Sequence, residues 1–328
     1  MDKKWKKCTL KIGEVDMKIL SLFSGCGGLD QGFLKAGYNI VWANDFDKYA
    51  VETYKANFGD NIVLQDINKV NFDELPDFDM LIGGFPCQPF SMMGKEKGFE
   101  DTRGTLFFKI AEIIKYKIEK NEKPKVIVLE NVRSLKTHDN GKTFKKIKRI
   151  LEKDLGYKVY SDILNSADYG TPQTRNRTYI VCFDNKNIEF EFPKKQKLNL
   201  TLQDLLEKNV DNKYFLSEKI IPTILSNGTG GYNAKSEIDL KIARPLCATM
   251  AKMHRACQDN YVTQENRIRR LTPRECARLQ GFSDDFIIPV SDTQAYKQFG
   301  NAVTVNVSYA VANQIKDSLN KLGEWNND

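Results

Sequence analysis

Cys87 lies in Gly83-Gly84-Phe85-Pro86-Cys87-Gln88-Pro89, just past an apolar run. The glycines clear space before it, and Pro86 and Pro89 stiffen the turn. A thiol held this way is a candidate nucleophile, because the thiolate is reactive once its pKa falls; the alternative is a half-buried structural cysteine. The six other cysteines have no comparable setting. Glu130 closes a second apolar run, Val126–Leu129, and a carboxylate there would face the crevice that Cys87 faces. In Gln173-Thr174-Arg175-Asn176-Arg177 the two arginines stand two apart and share a face if the segment is extended. They suit a phosphate or an oxo group; a surface charge pair is the plainer reading.

A second constellation opens the chain. Phe23-Ser24-Gly25-Cys26-Gly27-Gly28 follows an apolar strand and leads into a helix. Glycines there let backbone N–H groups approach a ligand at the positive end of a helix dipole. Asn44-Asp45-Phe46-Asp47 ends the next strand, where an acidic side chain meets ribose hydroxyls. Together they suggest an adenosine-containing cofactor. The spacing is not G-x-G-x-x-G and no P-loop lysine follows, which disfavours a dinucleotide or ATP. Asp66, after the third strand, could meet an adenine amino group or be a simple loop carboxylate. Ser91–Gly104 is polar, has glycines near both ends and lacks an apolar stripe, as a lid would.

These residues need a scaffold. Short apolar runs at Lys18–Phe23, Asn39–Ala43, Ile62–Leu64, Met80–Ile82, Val126–Leu129, Lys158–Leu164 and Tyr179–Phe183 alternate with helical patterns at Leu29–Lys35, Lys48–Asn57, Leu106–Lys117 and Thr143–Leu155. That alternation predicts an α/β fold with a mostly parallel, doubly wound sheet, whose ligands sit beyond the carboxyl ends of the strands. Residues 184–270 are polar and basic with weak periodicity, and read as a small irregular second domain. Order returns in a helix that Thr272 caps, with Pro273 at its first position and Glu275 completing a capping box. A last helix spans about Asn306–Leu319. The expected division is therefore 1–183, 184–270 and a C-terminal segment, 271–328, that rejoins the first domain.

Composition narrows the field. Of 328 residues 41% are hydrophobic and 28% charged, so a packed core is affordable and disorder is excluded. No apolar run is long enough to span a membrane. The basic N-terminus has no apolar stretch behind it, and the expectation is a cytoplasmic protein with reduced thiols. Two histidines and no C-x-x-C pair argue against a metal site. The net charge is +7, and the stretch from Lys194 to Arg270 has nine Lys and five Arg against eight acidic residues. A local excess of this kind suits a polyanion such as nucleic acid, with a solubilising surface as the alternative.

FSGCGGL, GGFPCQPFS, ENV, QTRNR, RRLTPRECARLQGF and QFGNAV occur in that order. In this the chain resembles the DNA (cytosine-5) methyltransferases, and most of all short bacterial type II restriction-modification enzymes. The resemblance covers roughly residues 18–183 and 268–319. It implies a Rossmann-like domain that binds S-adenosyl-L-methionine, and a target-recognition domain. It implies Cys87 as the nucleophile, Glu130 on the cytosine ring, Arg177 on the base's carbonyl oxygen and Arg175 in support of the pocket and the phosphate. For the cofactor it implies Phe23, Gly25, Gly27, Gly28, Asp45, Phe46, Asp66, Pro86, Leu106 and Asn301, although many relatives have Glu where this chain has Asp45. For DNA it implies Ser91, Met93, Lys95 and Arg103 in the lid, with Tyr232 and Lys235 in a loop that fills the space of a flipped base. Thr249, Lys252, His254 and Arg255 are the expected base or phosphate contacts. The implied partner is double-stranded DNA, the implied state a monomer, and a companion restriction endonuclease would form no stable complex with it. Two rivals remain open: a cytosine-5 methyltransferase of RNA, as for tRNA, and a DNA-binding regulator without catalysis.

Overall fold

The structure, a computed structural model, describes residues 17–85, 106–227, 235–252 and 254–325. Seven strands form one sheet: β1 (Lys18–Leu22), β2 (Asn39–Asp45), β3 (Ile62–Leu64), β4 (Met80–Gly84), β5 (Val126–Val132), β6 (Lys158–Asn165) and β7 (Asn176–Phe183), in the order β3-β2-β1-β4-β5-β7-β6. β1 pairs in parallel with β2 and β4, β2 with β3, and β4 with β5. Only β7 runs against its neighbours β5 and β6. The strand order reverses between β1 and β4, which opens a crevice at their carboxyl ends.

The central strands read as unbroken apolar runs because helices cover both faces. Alternate residues point to opposite sides. Ile19, Met80, Ile82, Val126, Val128 and Val181 pack against α1 (Gly28–Lys35) and α8 (Val305–Asn320). Leu20, Leu22, Leu81, Ile127, Leu129 and Ile180 pack against α3 (Leu106–Glu119) and α4 (Lys142–Arg149). The helix α2 (Lys48–Phe58) joins β2 to β3, and Asp47 caps it by accepting the Tyr49 N–H. The α4 helix is shorter than its sequence pattern, because its last turn, Ile150–Asp154, widens into a π-helical turn.

Beyond β7 the chain makes short 3-10 turns, a five-residue helix α5 (Ile221–Leu225) and a hairpin, β8 (Tyr261–Gln264) with β9 (Arg267–Arg270). The capping box at Thr272 opens α6 (Pro273–Leu279), and α7 (Asp292–Asn301) follows. Neither the hairpin nor α7 is evident in the sequence pattern. An apolar cluster joins Leu202, Leu246, Met250 and Val262 to Leu279 and Phe299, so α6 and α7 pack with the irregular region, while α8 packs on the sheet. Among the described residues no helix is long and apolar enough to cross a membrane.

Candidate active site

The parallel register brings the ends of β4 and β5 together. Gly84 pairs with Glu130, and a Cβ on Gly84 would stand 3.3 Å from Glu130 Oε2, so the glycine leaves the carboxylate its space. Asn131 Nδ2 donates to the Phe85 carbonyl at 2.7 Å, fixing the point where the chain leaves β4 toward Cys87. Cys87 itself lies outside the described residues, as do Pro86, Ser91, Met93, Lys95, Arg103 and Tyr232.

Glu130 is buried, and Arg177 Nε stands 3.1 Å from its Oε1. Arg177 comes from β7, where it pairs with Val132. Burial pushes the Glu130 carboxyl above the ordinary glutamate range, against the opposing pull of Arg177 and then Arg175. Among the described residues no hydrogen bond or ion pair engages Oε2, which could therefore meet a polar ligand. Arg175 does not stand beside Arg177 in the crevice. It is 1% exposed, and its guanidinium donates to the carbonyls of Leu246, Gly300 and Ala302 at 2.8, 2.9 and 2.8 Å. This placement corrects the expectation of a phosphate contact: the buried side chain joins the irregular region to the turn after α7.

The crevice widens into a cavity of about 630 Å³ lined by Phe23, Gly25, Asp45, Phe46, Leu106, Glu130, Arg177 and Asn301, among others. It holds the two constellations side by side. Phe46 is 72% exposed at its rim, an open aromatic face beside a carboxylate. Phe23 adopts φ 56°, a left-handed conformation that a bulky residue keeps only where the surroundings enforce it, commonly at ligand sites. Asp45 accepts the Gly25 N–H at 2.9 Å and the Asp47 N–H at 2.8 Å, so one carboxylate shapes the turn and the strand exit together. Burial raises its pKa in spite of those bonds.

The three glycines serve two purposes. Gly25 (φ 58°) has open space where a Cβ would be, and it alone of the three lines the cavity. A Cβ on Gly27 would come within 2.2 Å of the Phe58 ring, and one on Gly28 within 2.2 Å of the Val303 carbonyl. These two permit close packing rather than close ligand approach. Asp66 also lies off the cavity wall, where its Oδ1 accepts the Asn68 N–H and caps a 3-10 turn. It follows β3, one strand over from Phe46.

Some supporting residues escape a reading based on charge. Gln173 accepts the Leu246 N–H and donates to the Leu279 carbonyl, both at 2.8 Å. Gln280 donates to Phe299 and accepts from Thr304 Oγ1, which also meets Ser166. These neutral side chains tie QTRNR, LQGF and GNAV together. Gln173 and Gln280 lie inside the motif strings, whereas Thr304 and Ser166 lie outside them.

Residues 17–317 match the C-5 cytosine-specific DNA methylases. The chain belongs to that family of DNA (cytosine-5) methyltransferases. It is similar to the type II methyltransferase M1.ScrFI of Lactococcus lactis subsp. cremoris, with 44% identity over 93% of this chain and 79% of the relative. With M.HhaI of Haemophilus parahaemolyticus it shares 39% identity over 93% of this chain and 95% of the relative. Among solved structures, the Entamoeba histolytica methyltransferase EhMeth has the same fold, with a TM-score of 0.76 at 22% identity over 93% and 99% of the two chains. The S. pombe Dnmt2 methyltransferase has a TM-score of 0.73 at 22% identity, over 92% of this chain and 99% of its own.

The basic region of this methyltransferase differs from its sequence expectation. Four of its five arginines, Arg244, Arg255, Arg269 and Arg270, are buried or half-buried, and Arg267 is exposed. Arg269 is buried and forms a two-pronged pair with Glu275 at 2.8 and 2.7 Å. Arg270 lies over the Tyr296 ring and donates to the Met250 carbonyl; Arg267 lies over Phe215; Arg244 pairs with Glu237. Arg255 is half-buried, with Nη1 lacking a partner among the described residues. Thr249, Lys235 and Lys252 are exposed, and Lys235 pairs with Glu237 at 2.9 Å. A Cβ on Gly300 would clash with the backbone of Cys247 and Ala248, so the turn bearing Thr249 rests on α7 one residue from Asn301.

Proposed function

We propose that this enzyme transfers a methyl group from S-adenosyl-L-methionine to carbon 5 of a cytosine turned out of duplex DNA, within a short recognition sequence. The observation that carries this reading is the buried Glu130–Arg177 pair, set across from the exit of β4 that leads to Cys87 and opening on a cavity with a free aromatic rim. The cavity suits the cofactor: Phe46 and Phe23 would flank its adenine, Asp45 its ribose, with Asp66 beyond the rim and Asn301 and Leu106 toward the methionine end. Gly25 gives the backbone access, and the carboxylates suit a sulfonium cation. Bound there, S-adenosyl-L-methionine supplies an electrophilic methyl group.

Carbon 5 of cytosine is a poor nucleophile until carbon 6 is attacked. The Cys87 thiolate forms a bond to carbon 6, and the ring's electron pair moves toward carbon 5 and nitrogen 3. Glu130 stabilises that charge where it develops. Its burial lets the carboxyl hold a proton to a higher pH than a free glutamate, so Oε2 can donate to nitrogen 3 while Oε1 remains with Arg177. The remaining Arg177 donors suit the base's carbonyl oxygen. Once carbon 5 carries the methyl group, loss of its proton expels the Cys87 thiolate and restores the ring. Residues 184–270, with α6 and α7 packed against them, would form the unit that reads DNA, through Thr249, Lys252, Arg255, Lys235 and Tyr232. The enzyme would act as a monomer, with any companion endonuclease acting separately on the same sequence.

Methylation of a random-sequence duplex pool, read by bisulfite sequencing, tests the reading. Protected cytosines in one short shared context are expected, and none with Cys87→Ala. Methylation by that variant would remove Cys87 as nucleophile. A protein that binds the cofactor yet protects no DNA cytosine would point to RNA, and one that protects neither to a non-catalytic binder.

A further inference from the structure

The second basic stretch of the molecule lies outside the irregular region. Between residues 133 and 153 eight basic residues stand against two acidic ones, Asp139 and Glu152. The segment runs through two 3-10 turns, Arg133–Lys136 and His138–Gly141, then α4 and the π-helical turn Ile150–Asp154, which holds Glu152 and Lys153. Leu135, Ile147, Ile150 and Leu151 bury the inner side of this unit, which leaves Arg133, Lys142, Lys145, Lys146, Lys148 and Arg149 exposed. Here the cations are not drawn inward. Lys148 pairs with Glu152 at 3.5 Å, and among the described residues no carboxylate pairs with the other five.

The position of this face matters as much as its sign. Arg133 follows Val132, the residue that pairs with Arg177 at the end of β5. Lys136 donates to the Ser161 carbonyl and lies over the Phe144 ring, which holds the first 3-10 turn against the start of α4. Lys146 lies over the ring of Phe108, two residues into α3 from Leu106 on the cavity wall. The amino end of α4 is therefore at the crevice end of the sheet, on the opposite side of β5 from β4. A solvated surface face usually mixes both signs; a one-sign face at the mouth of a site acts on charge that lies across the mouth.

We propose that this face, Arg133 with the first two turns of α4, takes phosphates of the DNA that flanks the recognition sequence. The inference rests on the DNA reading above, and it assigns the flank to the catalytic half of the enzyme rather than to residues 184–270. These contacts would carry no sequence information and would set register and affinity.

The test compares the wild-type enzyme with Arg133→Gln/Lys142→Gln/Lys145→Gln on two duplexes. One is confined to the sequence found protected by bisulfite sequencing; the other is extended by about ten base pairs, one helical turn, on each side. The wild type should bind the extended duplex more tightly, and the variant should lose that advantage while matching wild type on the short one. On the extended duplex the slope of log affinity against log salt should fall by about 2.7, or ~0.9 per phosphate released. Between 50 and 200 mM salt the wild type should then lose roughly 40-fold more affinity than the variant. Single-turnover methylation at saturating DNA should not change, and Arg133→Lys/Lys142→Arg/Lys145→Arg should behave as wild type. Equal slopes and equal length dependence in variant and wild type would overturn the proposal, as would a loss confined to RNA. Absence of methylation by the wild type would instead overturn the DNA reading beneath it.

Discussion

Asp30 and Glu275 are both wholly buried carboxylates, and their neighbours differ in kind. Asp30, in the first turn of α1, accepts hydrogen bonds from the Ser21 hydroxyl at 2.7 Å and the Tyr54 hydroxyl at 2.8 Å. No cation pairs with it among the described residues. Glu275, in α6, has both oxygens on the Arg269 guanidinium and also accepts the N–H groups of Thr272 and Glu207, each at 2.8 Å. The α/β half can bury an uncompensated carboxylate because a seven-stranded sheet with two apolar faces holds it in place. The irregular region has few ladders and one small apolar cluster of its own around Ile224, Ala256 and Tyr261. There, charge pairing with fixed geometry does the positioning that strand register does elsewhere.

The largest expected effect comes from breaking the Glu275 side. Arg269→Met leaves a buried charge without its partner and should cost about 3–5 kcal/mol of stability. Adding Glu275→Gln removes that charge, keeps an acceptor for one backbone N–H, and should recover part of the loss. Chemical denaturation of the two variants measures both steps. A single variant within about 0.5 kcal/mol of wild type would mean that packing, not the ion pair, fixes this region.

The contrast also explains what the sequence reveals. The crevice is legible because β1, β2, β4 and β5 are apolar runs that end in glycines or acids, and parallel pairing then brings Gly25, Asp45, Gly84 and Glu130 to one end. Where a side chain is spent is not legible. Arg175 and Arg177 look equivalent at a spacing of two, but Arg175 is turned onto three carbonyls and only Arg177 reaches Glu130. Arg269 and Arg270 read as surface charge, and the partners that bury them are Glu275, Tyr296 and the Met250 carbonyl. The β8–β9 hairpin turns through Glu265 and Asn266, both at positive φ, and its strands offer too few apolar residues for alternation to show. In α7 only Ala295, Tyr296 and Phe299 supply an apolar stripe, set among polar residues.

Glu130 stands between the two extremes: buried like both, paired with one arginine, and on the wall of the cavity. Glu130→Gln keeps the shape and removes the charge and the proton. Single-turnover methylation should fall by about 10²–10³, or ~2.7–4 kcal/mol, with the unfolding midpoint close to wild type. The raised pKa sets a sign as well. Burial keeps the carboxyl neutral to a higher pH than in a free glutamate, so a contribution that depends on its donating to nitrogen 3, as proposed, should fade as pH rises through the raised value. The ratio of wild-type to variant rate should therefore narrow toward alkaline pH; a constant ratio would assign Glu130 a purely ionic role.

Asp30 gives the smallest effect and the one whose direction is least obvious. Burial pushes its carboxyl up to about 6, against the Ser21 and Tyr54 hydrogen bonds, from an unfolded value near 3.9. A carboxyl with a raised folded pKa contributes stability that is fully present below about pH 4 and is lost as pH rises through about 6. Asp30→Asn never ionises, so it should be more stable than wild type above pH 6, by about 1–2 kcal/mol after relaxation of the site, and equal to it near pH 4. The same carboxylate reaches the glycine-rich turn after β1 through Ser21, whose hydroxyl lies 2.9 Å from that of Ser24 on the cavity wall. Asparagine still offers Ser21 an acceptor, so cofactor affinity should hold while stability rises. If affinity falls as stability rises, the ionised form of Asp30 is part of how the turn is held for its ligand, and the uncompensated charge is kept for that reason. If the stability difference is the same at pH 4 and pH 7, Asp30 does not titrate in this range, and the two buried carboxylates differ in their partners but not in their charge.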